Sequence, residues 1–164
     1  MAEYSRKDLE GSIGYTTIID PKFKTERVKV IFLTPLDGNT ASQNAMAAGI
    51  IGSSNSKYKN ISEITEKLNS LYGANINIEV SKLSDIQRLE VCVSSICSKY
   101  ALEGEDIGKE VISILLDCIF SPNSCNNAQT GKKEFAAEPF GFRKKDLLDT
   151  IDSEINNKRV YALM

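Results

Sequence analysis

The feature that most constrains this chain is a pair of segments in which apolar and polar residues alternate. Residues 75–80 read NINIEV, and residues 87–97 place Leu89, Val91 and Val93 at every second position. A period of two residues predicts β-strands with one buried face. Because only a short connection separates the two strands, they are expected to pair with each other.

Two more strands are predicted nearer the start of the chain. Residues 14–23 read GYTTIIDPKF and end at Asp20–Pro21, and residues 27–36 read RVKVIFLTPL. The short connection between them predicts a hairpin. Residues 1–12, MAEYSRKDLEGS, are polar and charged and are not predicted to form a strand.

Four segments have the composition or the apolar spacing of helices. They are residues 41–51, which are rich in alanine, residues 61–73, residues 107–120, and the run from Phe142 to Met164. The candidate caps are Asn39 or Thr40 for the first helix, Asn60 or Ser62 for the second, and Glu105–Asp106 for the third. Residues 124–133 are predicted to form a polar loop.

The resulting order, β-β-α-α-β-β-α-α, predicts an α+β fold. The expected architecture is a two-layer α/β sandwich, with a mostly antiparallel sheet and helices on one face. A chain of 164 residues suits a single domain, residues 1–164. The last helix reaches Met164 without a cap, glycine or proline, so this domain is expected to be incomplete at its C-terminus.

The chain contains no histidine. Histidine is the usual general acid or base near neutral pH and a very common metal ligand. Its absence excludes imidazole-dependent triads and zinc sites built on histidine within this chain. The four cysteines form no C-x-x-C pair and are predicted to be free thiols. No cofactor is expected.

Charge and hydropathy exclude two further classes of partner. The net charge is −2, and no basic patch carries interleaved aromatic residues, so nucleic acid is not an expected partner. No apolar run is long enough to span a bilayer, and the start has no secretory signal, so no membrane contact is expected. These features predict a cytoplasmic protein.

Three stretches of this sequence resemble the N-terminal half-domain of the pitrilysin/insulinase metallopeptidases, and together they cover nearly the whole chain. They are TERVKVIFLTPLDGNTASQNAMAAGII, SSNSKYKNISEITEKLNSLYGANINIEVSK and DLLDTIDSEINNKRVYALM. The chain is similar in particular to a bacterial branch that lacks the catalytic H-x-x-E-H motif. The resemblance implies a half-domain of the mitochondrial-processing-peptidase type.

The resemblance also locates the positions of the missing zinc site. In active members, two histidines of H-x-x-E-H bind zinc and the glutamate activates the zinc-bound water. With Lys57–Tyr58 as the anchor, Ala45 and Gly49 fall at the histidine positions and Ala48 at the glutamate position. The third zinc ligand, on a later helix, corresponds to Asp149 or Thr150. No complete ligand set is left.

The function implied by the resemblance is that of a pseudopeptidase, which contributes peptide-binding surface and assembly contacts to a metallopeptidase complex. The expected partner is a peptidase subunit that carries H-x-x-E-H, or a second half-domain, and peptides are expected substrates. Two alternatives stay open: a zinc metalloendopeptidase whose ligands come from another chain, and a structural scaffold unrelated to proteolysis. A homodimer of the truncated chain is a further expectation.

Overall fold

The computed structural model describes residues 2–154, 156 and 158. Its strands are β1 (Glu3–Leu9), β2 (Ile13–Ile19), β3 (Thr25–Pro35), β4 (Asn75–Leu83), β5 (Ile86–Ile96), β6 (Ser124–Asn126) and β7 (Lys133–Phe135). Its helices are α1 (Ala41–Ile51), α2 (Ile61–Ser70), α3 (Ile107–Phe120) and α4 (Ala137–Glu154), with a short 3₁₀ turn at Ser98–Tyr100. The predicted continuation of the last helix towards Met164 lies outside the described residues.

The central sheet has three antiparallel strands in the order β3-β5-β4. Val91 of β5 lies between Val30 and Ile78, and Val93 lies one rung further along, between Val28 and Ile76. Residues directly opposite each other in an antiparallel sheet point to the same face, so these rungs form one apolar surface. The predicted pairing of the two alternating segments is therefore confirmed.

The predicted hairpin between residues 14–23 and residues 27–36 is wrong. β2 pairs with β1, and β3 pairs with β5 over eleven residues, from Thr25 to Pro35. The long pairing with β5 adds the valines of β3 to the buried face of the central sheet. β1 and β2 meet at a tight turn in which Gly11 and Ser12 have φ of 74° and 62°. This left-handed backbone suits a narrow hairpin.

The helices lie on one face of the central sheet, and the core is formed there. α2 and α3 contribute Ile64, Leu68, Ile107, Val111, Ile114, Leu115 and Cys118, which pack with Val91 and Val93 of β5. The opposite face exposes Arg27, Lys29, Asn75, Asn77 and Glu79. This arrangement of helices over antiparallel strands confirms the predicted α+β fold.

Two predictions for the C-terminal third need correction. The predicted loop at residues 124–133 contains β6 and leads into β7, and these two short strands pair antiparallel. The last helix begins at Ala137 and not at Phe142. Pro139 lies in its first turn, where the missing backbone N–H of proline has no cost, so the helix starts before the apolar stripe that marks it in the sequence.

Helix starts follow the predicted caps in part. The side chain of Asn60 accepts a hydrogen bond from the backbone N–H of Glu63 at 2.9 Å, and Asp106 accepts one from Lys109 at 3.1 Å. Thr40 flanks α1 but makes no capping hydrogen bond with its side chain. In the part of the chain that the structure describes, no helix is long and apolar enough to cross a membrane.

Candidate functional site

Helix α1, which carries the positions of the lost zinc motif, is fixed on the sheet by hydrogen bonds to a buried glutamine. Gln87 of β5 donates from Nε2 to the carbonyl of Ala41 at 2.9 Å, and Asn44 donates from Nδ2 to Oε1 of Gln87 at 2.9 Å. At its other end, a Cβ on Gly52 would come within 3.1 Å of Cγ1 of Ile78. The helix therefore lies close over β4 and β5.

The three motif positions occupy two sides of α1. Ala48 is 2% exposed, whereas Ala45 and Gly49 are half-buried. Because Ala45 and Gly49 are one helical turn apart, they share a face of α1. None of the three has a side chain that could bind a metal ion or activate a water molecule.

Helix α4 packs against this slim face of α1, and Arg143 is the residue that crosses Gly49. A Cβ on Gly49 would lie 2.7 Å from Cδ and 2.9 Å from Cγ of Arg143, and closer still to Nε. Both carbons lie near the base of the arginine side chain, which limits how far it can move aside. Residue 49 consequently has no room for a side chain while Arg143 keeps this position.

Arg143 also brings a permanent positive charge to the lost zinc site. Its NH1 donates to Oδ2 of Asp146, and its side chain is 36% exposed. Its Nε is buried and has no hydrogen-bond partner among the described residues. Since a guanidinium stays protonated in proteins, this cation repels a metal ion at the position where the resemblance places one. The residues present do not fit zinc.

The structure brings Arg143, and not Asp149, to α1. Asp149 and Thr150 are both exposed on α4, and the hydroxyl of Thr150 donates to the carbonyl of Asp146 at 2.8 Å. On a helix, residue 150 lies on the same side as residue 143 but two turns away, whereas residue 149 is rotated from that side. Within residues 2–154, 156 and 158, no group of three or more acidic or cysteine side chains could hold a metal ion.

The loop that joins α1 to α2 is organised by the buried side chain of Asn55. Its Oδ1 accepts hydrogen bonds from the backbone N–H groups of Lys57 at 2.9 Å and Tyr58 at 2.7 Å. Its Nδ2 donates to Sγ of Cys118 at 3.4 Å. Burial raises the pKa of the Cys118 thiol, and the hydrogen bond from Asn55 opposes this shift. The Lys57–Tyr58 pair is thus tied to the core through one asparagine.

Two cavities flank the start of α4. The junction pocket lies between the loop after α1, the start of α2 and the first turns of α4, and its volume is about 200 Å³. It is lined by Ser53, Ser54, Lys59, Asn60, Ile61, Glu138, Pro139 and Phe142. A larger open cavity of about 1030 Å³ lies between the end of α3, the β6–β7 hairpin and α4, and Phe140 lines it.

Sequence reasoning missed Arg143, Asn55 and Ser54 as site residues. Arg143 stands among other charged residues of α4, and the sequence shows no sign that it faces Gly49. Asn55 and Ser54 belong to a polar run, SSNS, that is typical of a solvated loop, yet both are fully buried. The glycine at position 49 was the one available signal, because glycine inside a helix permits a close approach by another element.

Comparisons with known proteins place this chain beside a solved structure of a longer protein. No family model matches the chain, and no curated protein matches it. A similar solved structure is that of a conserved protein from Enterococcus faecalis V583, with 29% identity and a TM-score of 0.75. The match covers 86% of this chain and 32% of that protein, so this chain spans about a third of its length.

Proposed function

We propose that this chain is a non-catalytic domain similar to the pitrilysin/insulinase peptidases, which binds extended peptides and contributes contacts to a metallopeptidase complex. The observation that carries the proposal is the packing of Arg143 over Gly49. It puts a guanidinium where the resemblance expects a zinc ion and leaves no space for a histidine. The domain therefore keeps the helix pair of a peptidase site without the chemistry.

Two features of the sheet support a peptide-binding role. Among the described strands, β3 and β4 each pair with β5 on one side and have no strand partner on the other. An extended peptide binds such an edge through backbone hydrogen bonds, which is a common recognition mode. β4 also lies beneath α1, since Ile78 is in contact range of Gly52, so a peptide on that edge would pass close to the degenerate helix.

The proposal is tested by measuring binding and cleavage in one sample. A fluorescent unstructured polypeptide is titrated with the 164-residue chain, with a zinc salt in one series and a chelator in the other, and its integrity is followed by mass spectrometry. We expect saturable binding and an intact polypeptide in both series. The same polypeptide after cyclisation into a compact form serves as the control and should bind more weakly.

Each other outcome selects a different function. Cleavage that needs zinc and stops with the chelator would contradict the non-catalytic assignment and favour a peptidase with ligands from elsewhere. Absence of binding in both series would leave a structural scaffold as the better account. An H-x-x-E-H subunit that co-purifies with the chain would identify the partner that the proposal expects.

A further inference from the structure

The junction pocket has an unpaired hydroxyl at its base. Ser54 lines the pocket and is fully buried, so it forms the floor and the more exposed residues form the walls. Its Oγ has no hydrogen-bond partner, whereas the hydroxyl of the neighbouring Ser53 donates to the carbonyl of Ile50 at 2.8 Å. A buried polar group without a partner is rare in folded proteins and is a candidate for ligand binding.

The walls of the junction pocket are largely apolar. Ile61 and Phe142 are 57% and 69% exposed, and both face the pocket together with Pro139. Ligand pockets in proteins typically combine such apolar walls with a few polar groups that fix the orientation of the ligand. A volume of about 200 Å³ is suited to one large side chain and not to a whole folded segment.

The charges around the junction pocket favour a neutral ligand. Lys59 and Glu138 both line it and carry opposite charges. A further carboxylate, that of Glu63, accepts from the backbone N–H of Lys59 at 2.8 Å and from Nδ2 of Asn60 at 2.7 Å. It thereby occupies the positive end of α2, where an anionic ligand would otherwise bind. An acidic side chain would meet two carboxylates, and a basic one would meet Lys59.

We propose that the junction pocket binds a tyrosine side chain of the peptide that the domain holds. This inference rests on the proposed peptide-binding function and names a side chain that the domain selects. The aromatic ring contacts Ile61, Pro139 and Phe142. The phenol reaches the floor and pairs with Oγ of Ser54, and since each hydroxyl both donates and accepts, the pairing works in either direction.

The test is a cycle of variants and peptides. Short, labelled peptides with Gly/Ser flanks and a single central tyrosine, phenylalanine or alanine are titrated with the 164-residue chain. We expect the tyrosine peptide to bind about 3- to 10-fold more tightly than the phenylalanine peptide, the range for one neutral hydrogen bond. In the Ser54→Ala variant this difference should disappear while the affinity for phenylalanine is kept.

A matched pair of variants on α4 controls for position. Phe142→Ala removes a wall and should weaken both aromatic peptides by about 10-fold. Phe140→Ala, two residues earlier, removes a ring that lines the larger cavity instead and should leave all affinities unchanged. Both phenylalanines are exposed, so neither change is expected to unfold the domain.

The two proposals fail in different ways. Equal binding of the tyrosine and phenylalanine peptides by the unmodified chain would overturn the assignment of the phenol to Ser54. Binding that is insensitive to Phe142→Ala would overturn the junction pocket as the site, and the peptide-binding function would stand. If none of the peptides binds, and the unstructured polypeptide does not bind either, both proposals are contradicted.

Discussion

Replacing Asn55 by alanine is expected to lower the free energy of unfolding by about 2–4 kcal/mol, because a hydrogen-bonded hub in the core is lost. The side chain satisfies the backbone N–H groups of Lys57 and Tyr58 and donates to Cys118. Alanine leaves these two donors without their partner in a buried loop and removes volume beside α3. Chemical denaturation followed by circular dichroism measures the change.

A second asparagine provides the control for this effect. Asn127 accepts hydrogen bonds from the backbone N–H groups of Gln129 at 2.8 Å and Thr130 at 3.1 Å, in a turn where water reaches the donors. Asn127→Ala should therefore cost less than about 1 kcal/mol. Equal losses for the two variants would show that burial of Asn55 does not have the energetic role described here.

Replacing Gly49 by valine is expected to lower the free energy of unfolding by about 2–3 kcal/mol, because the new side chain overlaps Arg143. The overlap involves Cγ and Cδ of that arginine, so it requires a shift of α4 or a new rotamer for Arg143. In a free helix valine is tolerated slightly better than glycine, and a loss of this size cannot come from helix propensity.

Removal of the arginine should reverse the effect. In an Arg143→Ala background, the space over Gly49 is open, and Gly49→Val is expected to cost less than about 1 kcal/mol. Lys145→Ala, an exposed charge change on the same helix, should leave the cost of Gly49→Val unchanged. If Gly49→Val costs the same in all three backgrounds, Arg143 does not pack on Gly49 in solution.

Much of the fold could be predicted because its main elements follow simple periods. The alternation in residues 75–80 and 87–97 predicts the β4–β5 pair, and the capping chemistry of Asn60 and Asp106 marks the starts of two helices. The β2–β3 hairpin was wrong because a short connection does not decide which strand gains more buried surface. β1 was missed because its side chains are polar and its pairing is made by the backbone.

The candidate site was predictable in its losses and not in its contents. Alignment to the resemblance located Ala45, Ala48 and Gly49, and the structure places them on one helix against α4. The residue that fills the space could not be predicted, because which side of α4 faces α1 depends on where that helix begins. With a start at Ala137, Arg143 and not Asp149 comes to Gly49.

The central claim is that an arginine occupies the place of the metal ion in this domain. The most direct measurement is the zinc content of the purified 164-residue chain after equilibration with a zinc salt and removal of loosely bound metal, with Arg143→Ala measured in parallel. The account predicts substoichiometric zinc in both proteins, because Ala45, Ala48 and Gly49 supply no ligand in either. One tightly bound zinc ion per chain would contradict it.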